Sequence, residues 1–297
     1  MGYLFLSIAL LTGAIKGYCG KKTSSAVTGV SGAMLANLVR MVLCIFIGFA
    51  IICLQKDVES LKVSLEMLGI SLLSGISMSA FVVTWLLSVR KGAYMMVDVF
   101  LMLGTVIPIS MSALLFHEEV RLNQIIGFGV LVAAAVVMCS YNNSIKKEKM
   151  SFSAFIVLLM CGTTSGLCDL SQKLFVNATE GYSNAIFNFY TYVFSALVIF
   201  VCYLFMGDKD GNKASLTGIK CVFGYISVMS LCLFLNSYFK TEAAQYLSAS
   251  ILYPMAQGCS LILATAVAAI FFKERVTAKA ILGIVLAFVG MLVINLL

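Results

Sequence analysis

His117-Glu-Glu-Val-Arg-Leu-Asn-Gln-Ile-Ile-Gly127 returns 156 residues later as Lys273-Glu-Arg-Val-Thr-Ala-Lys-Ala-Ile-Leu-Gly283, so that Glu118, Val120 and Gly127 fall on Glu274, Val276 and Gly283. Each copy is a short charged joint between two long apolar runs. Recurrence at a fixed spacing across half a chain marks an internal repeat. A second correspondence sets Leu11-Thr-Gly-Ala-Ile-Lys-Gly-Tyr-Cys19 beside Met160-Cys-Gly-Thr-Thr-Ser-Gly-Leu-Cys168, aligning Gly13, Gly17 and Cys19 with Gly162, Gly166 and Cys168 at an offset of 149. Small residues four apart let helices approach closely in a membrane. The two offsets place an insertion of about seven residues between the landmarks.

Around these joints the chain is apolar throughout. Of 297 residues 61% are hydrophobic, 11% are charged and two are proline. A water-facing surface of ordinary charge density cannot be assembled from that composition. Cutting at charge and at Asn/Gly/Ser clusters gives ten segments, at 3–20, 26–54, 63–89, 92–116, 120–140, 152–176, 184–206, 216–239, 243–272 and 277–297. Each is long enough to cross a hydrocarbon core of roughly 30 Å at about 1.5 Å per residue. The most polar connection, Asn142-Asn-Ser-Ile-Lys-Lys-Glu-Lys149, lies at the midpoint. The expected architecture is therefore an all-α polytopic membrane protein of ten transmembrane helices: a first five-helix repeat over 1–141, a linker over 142–151 and a second repeat over 152–297. An odd number of crossings per unit inverts the second copy in the membrane, an arrangement common among secondary transporters.

The formal charge of +7 does not read as a nucleic-acid footprint, because the twenty Lys and Arg are spread over short loops. They serve as topology signals. Alternate loops carry thirteen on the side of the linker and five on the side of the termini, which by the positive-inside rule puts the linker in the cytoplasm. The opening Met1-Gly-Tyr-Leu-Phe-Leu lacks the positive n-region of a signal peptide, so the first helix is expected to stay in the protein. Ten Cys without a CxxC or Cys/His cluster read as small apolar residues rather than disulfides or metal ligands. Enzymatic arrangements are lacking. His117 is the lone histidine, so no HExxH zinc site forms, and neither a Gly-x-Ser-x-Gly elbow nor a Walker loop is present. The sequence calls for no cofactor and no metal, and a transport cycle would draw on a gradient rather than on ATP.

The Glu-to-Gly joints (Glu118 with Gly127, Glu274 with Gly283) together with Asn37-Leu-Val-Arg40 resemble the EamA-type family of the drug/metabolite transporter superfamily. The resemblance covers essentially the whole chain and implies ten helices. The first four of each half would line a cavity, with the fifth and tenth at the side. It also implies cytoplasmic termini, opposite to the charge bias. Lys16 departs from the pattern, standing where the first helix often carries Trp or a small residue.

Ionisable groups within apolar segments are costly and mark function by default. They are Lys16, Arg40, Asp98 and Asp169. Lys16, four residues from the end of the first segment, and Asp98, six residues into the fourth, would lie at similar depth and could pair across a cavity, responding to cargo or protons. Arg40 needs an acceptor such as Asp98, a helix C-terminus or an anionic cargo group. Asp169 has Lys173 one turn on, and a local pair would account for it. Pro108 and Pro254 fall in the fourth and ninth segments, each freeing a carbonyl at membrane depth, and are expected at bends bordering the cavity. Near Pro254 lie Tyr253, Gln257 and Ser260, and facing helices offer Trp85, Asn188, Tyr190, Tyr192 and Asn236. The candidate substrate-binding set is Lys16, Arg40, Trp85, Asp98, Asp169, Asn188, Tyr190, Tyr192, Tyr253 and Gln257.

This set describes a polar aromatic cavity for a small amphipathic or zwitterionic organic molecule. The expected function is a secondary active exporter or exchanger of metabolites working by alternating access. It would lie in a bacterial inner membrane, as a monomer or homodimer, coupled to protons or a counter-substrate. A nucleotide-sugar or phosphorylated-metabolite antiporter would instead use Lys16 and Arg40 to hold anions. A membrane scaffold or channel without a transport cycle is the reading of another class.

Overall fold

The computed structural model describes residues 1–27, 29–56, 61–91, 94–117, 121–146, 151–179, 181–206, 212–273 and 278–295. Over these the chain is helical and contains no strand. The helices are α1 (Gly2–Ala26), α2 (Gly29–Leu54), α3 (Leu65–Lys91), α4 (Tyr94–Gly104), α5 (Val106–Phe116), α6 (Leu122–Lys146), α7 (Phe152–Ala178), α8 (Asn184–Met206), α9 (Asn212–Cys221), α10 (Phe223–Tyr246), α11 (Ala249–Phe272) and α12 (Ala278–Asn295).

Among the described residues seven stretches are long and apolar enough to cross a membrane, one of them running through α4 and α5 from Val97 to Phe116. The chain is an integral, multi-pass membrane protein. A backbone in lipid must bond to itself, which helices do. The many Ser and Thr inside the helices follow suit: Thr23 donates to the Cys19 carbonyl at 2.9 Å and Ser230 to the Ile226 carbonyl at 2.8 Å. A hydroxyl satisfied one turn back can sit at membrane depth.

The segments read from hydropathy correspond to these helices with four differences. First, α1 continues to Ala26, ten residues beyond Lys16, because Lys21-Lys22-Thr-Ser-Ser remains helical after the apolar run ends. Second, the fourth segment is broken at Thr105 into α4 and α5. Pro108 has no N–H to return to the carbonyl of Gly104, so the helix cannot run straight through, and Thr105 turns back to the Met102 carbonyl through both its N–H (3.1 Å) and its hydroxyl (2.7 Å). Third, α6 reaches Lys146, into the expected linker, whose residues 147–150 lie outside the described ones. Fourth, a short helix, α9, precedes α10, and α10 runs on through Lys240 to Tyr246.

The most extensive packing joins the two halves: α1 against α10, α6 against α12, α3 against α7 and α8, and α2 against α8. Glycines set the closest approaches. A Cβ on Gly104 would overlap the Gly162 backbone, and a Cβ on Gly166 would overlap the Gly104 carbonyl, the group that Pro108 leaves without a helical donor. On α6 and α12, a Cβ on Gly127 would come within 2.7 Å of the Gly290 carbonyl, and one on Gly290 within 2.9 Å of the Gly127 carbonyl. The helices before the two charged joints end alike: His117 (φ 53°) and Lys273 (φ 51°) are both left-handed caps, although Glu118, Val120, Glu274 and Val276 lie outside the described residues.

Candidate functional site

A cavity of about 870 Å³, counting its open mouth, lies among α1, α3, α4, α7, α10 and α11. Of the ten sequence candidates it brings together Lys16, Trp85, Asp98, Asp169 and Gln257, joined by Asn236 and Ser260.

Lys16 enters from α1. Its ammonium donates to Asn236 Oδ1 on α10 at 3.4 Å, and the Asn236 amide donates to the Ala9 carbonyl at 2.6 Å. Gly13 makes this possible, because a Cβ there would stand 3.1 Å from the Asn236 amide nitrogen. Asp98 enters from α4. It is 5% exposed, the Ser260 hydroxyl of α11 is hydrogen-bonded to its carboxyl group, and Oδ2 has no hydrogen-bond partner. The ion pair expected between Lys16 and Asp98 is not formed, since Lys16 is turned to Asn236. With α1 extending to Ala26 and α4 beginning at Tyr94, Lys16 lies about 15 Å from its helix end and Asp98 about 6 Å from its own, not at matched depth.

Asp169 corrects a second expectation. Its Oδ1 accepts from Lys240 Nζ of α10 at 2.6 Å, not from Lys173, which donates to the Leu247 carbonyl at 3.4 Å. A long-range partner wins because α7 turns Asp169 inward, where a charge needs a buried counter-charge. The pair is enclosed further. Tyr253 donates from its hydroxyl to the Asp169 backbone carbonyl at 2.7 Å, and Lys240 lies over the Tyr253 ring at 5.3 Å. The Gln257 side chain hydrogen-bonds to Asp169, and Gln172 donates to the Ser237 hydroxyl at 3.2 Å.

Trp85 gives the cavity an aromatic wall. Its ring fits against Gly20, where any Cβ would overlap it. Arg40, Asn188, Tyr190, Tyr192 and Tyr253 stand outside the lining. Arg40, 2% exposed, is not paired with Asp98 but donates to Asn37 Oδ1 at 3.3 Å; Asn37 in turn donates to the Val82 carbonyl at 3.1 Å and ties α2 to α3. Asn188 donates to the Asn184 carbonyl (2.8 Å), Tyr190 to the Leu61 carbonyl (2.7 Å) and Tyr192 to the Leu233 carbonyl (3.4 Å). Pro108 follows a break, whereas Pro254 sits in an unbroken α11; neither lines the cavity, although Ala256, Gln257 and Ser260 beyond Pro254 do.

Sequence reading missed Lys240, Gln172 and Ser237. In the sequence Lys240 stands at the end of the apolar run 216–239, although α10 continues to Tyr246. The signal available was the spacing of Asn236, Ser237 and Lys240, which places a polar face on one continuing helix. Among the described residues no group of three His, Cys, Asp or Glu is gathered to hold a metal ion.

Residues 152–296 match the EamA-like transporter family. A solved structure described only as "Crystal structure of protein" superposes with a TM-score of 0.68 at 11% identity, covering 97% of each chain. That likeness is one of fold alone. No curated protein matches the chain.

Proposed function

We propose, from the match of residues 152–296 to the EamA-like transporter family, that the protein is a secondary active exporter or exchanger of small zwitterionic metabolites. The observation that carries the reading is the unequal wiring of the cavity. Asp169 and Lys240 neutralise one another at 2.6 Å, while Lys16 and Asp98 face the same space unpaired. A cargo bearing both charges would offer its anion to the Lys16 ammonium and, as the Asp98 carboxyl group gives up its proton, its cation to Asp98 Oδ2, with its apolar part against Trp85. The Lys16 ammonium has three donors and a single long contact to Asn236, so it can accept an anionic group without breaking a strong bond.

The alternating-access part rests on the ten-crossing inverted repeat. Three features support it: left-handed caps at the aligned His117 and Lys273, the reciprocal packing of α1 on α10 and α3 on α7, and the mutual burial of Gly127 and Gly290. Pairing α4 with α5 as one crossing, and setting α9 aside, gives five crossings per half. A bacterial inner membrane and coupling to protons or a counter-substrate belong to the same proposal. The anion-carrier alternative loses its second cation, because Arg40 is held by Asn37 outside the lining.

Counterflow in liposomes tests the proposal. Vesicles loaded with an unlabelled zwitterion found by a ligand-stabilisation screen should accumulate the labelled form transiently. A channel would give leak without accumulation, and a scaffold would give neither.

A further inference from the structure

We infer that Asp98 is a proton-binding site, and that Lys16 takes the proton's place when it leaves. The inference rests on the transporter reading for its use in a cycle, but not for its chemistry. Asp98 is 95% buried and opens on the cavity, and its Oδ2 meets no donor. A carboxylate in that position would hold an uncompensated charge at membrane depth, which is costly, whereas a carboxylic acid carries none. The other buried carboxylate of the cavity, Asp169, has solved the same problem with Lys240. Asp98 has not.

The surroundings fit an exchange of partners. On α1 stands Lys16, its ammonium placed on Asn236 at 3.4 Å, and on α11 the Ser260 hydroxyl reaches the Asp98 carboxyl group. From α7 the nearest titratable group is the buried Cys161 thiol. By sequence α5 carries no charged residue and α6 none before Lys146 at its far end, and the charged residues of α3 stand at its ends. Lys16 is thus the one cation facing Asp98 from the described helices packed around it. When the Asp98 O–H bond breaks, the proton passes to water in the cavity and the electron pair stays on the carboxylate. The Lys16 ammonium can then leave Asn236 for the new carboxylate. Proton loss is in this way tied to a shift of contact between α1, α10 and α4.

Infrared spectroscopy of the purified full-length protein tests this with protons as the only ligand. A protonated carboxylic acid shows a carbonyl stretch well separated from carboxylate and amide bands. The wild type at neutral pH should show one such band that Asp98→Asn removes and Asp169→Asn leaves in place. In Lys16→Met the band should persist to higher pH than in the wild type, because the carboxylate has lost its replacement partner. A band absent from the wild type across the titration, or unchanged in Asp98→Asn, overturns the assignment. An unaltered titration in Lys16→Met overturns the exchange. If Asp98→Asn does not fold, Asp98→Glu keeps the carboxyl and should move the band rather than abolish it; an unmoved band counts against the site. Counterflow failing while the band behaves as expected would sink the transporter reading alone. Counterflow succeeding without an Asp98 band would sink this inference alone.

Discussion

Asp169 and Asp98 border the same cavity, and both are buried, yet they are opposites in wiring. Asp169 is bound by Lys240 at 2.6 Å, hydrogen-bonded by Gln257, and covered by a Tyr253 ring whose hydroxyl holds the adjoining carbonyl. Asp98 has Ser260 beside it and an oxygen with nothing. Oδ2 of Asp169 meets no donor either, so the corners differ in charge rather than in a count of bonds: the first carboxylate has its cation at contact, the second has none. A closed polar network rigidifies a bundle, while an open one is where a ligand can be recognised. The same residue type thus serves two ends, and the difference lies in what the neighbouring helices bring.

That contrast can be broken most forcibly at the closed corner. Lys240→Ala should strand the Asp169 charge and cost about 3–5 kcal/mol, read as a fall in the thermal unfolding midpoint in detergent. Replacing both partners with Leu should restore most of the loss. If Lys240→Ala melts like the wild type, the corner is not closed.

At the open corner the larger effect should be on transport. Lys16→Ala removes a charged donor to cargo and should lower counterflow by roughly 10- to 100-fold per folded molecule, the equivalent of about 1.5–3 kcal/mol. The double change Lys16→Ala with Asp98→Ala should be less harmful than the two single losses summed, because both residues act on one cargo site and the second change has less left to remove. Additive losses would mean that the two do not share a site.

Between the corners, α4 is held against α7 by bare backbone. Gly104→Ala should cost about 1–3 kcal/mol by forcing α4 off Gly162. An unchanged melt would show that the helices have room to part. Tyr253→Phe, deleting one hydroxyl from the closed corner, should cost about 1 kcal/mol with transport retained. The smallest change in stability is expected for Asp98→Ala, under about 1 kcal/mol, since no strong partner is left stranded by it. A loss as large as that of Lys240→Ala would erase the distinction between the corners.

The helices were legible because lipid imposes a uniform demand: long apolar runs show in hydropathy whatever they pack against. Their ends were less so. Lys21 and Lys22 mark where apolar sequence stops, not where α1 stops, and the misjudged end shifted the depth assigned to Lys16. The charged groups within apolar segments are legible as inward-facing: Arg40, Asp98 and Asp169 are buried and Lys16 is partly buried. Their partners were not all readable. Asn37, three residues from Arg40, lay within reach of helical spacing, whereas Lys240 lies 71 positions from Asp169 and only the fold joins them. The break at Thr105 was foreshadowed by Pro108, but the glycine contact that houses the freed Gly104 carbonyl required α7 to be in place.

The packing across halves bears on how the chain is made. Synthesis delivers α1, α3 and α6 to the membrane before α10, α7 and α12 exist, yet those later helices supply their broadest contacts. The ridge around Gly127 and Leu131 on α6 waits for Gly290 and Ile294, near the far end of the polypeptide. Contacts of such long sequence separation form late. The early helices must therefore remain inserted and loosely associated until α12 has been made, and a ribosome that stalls between α6 and α7 leaves a product whose principal faces have nothing to grip.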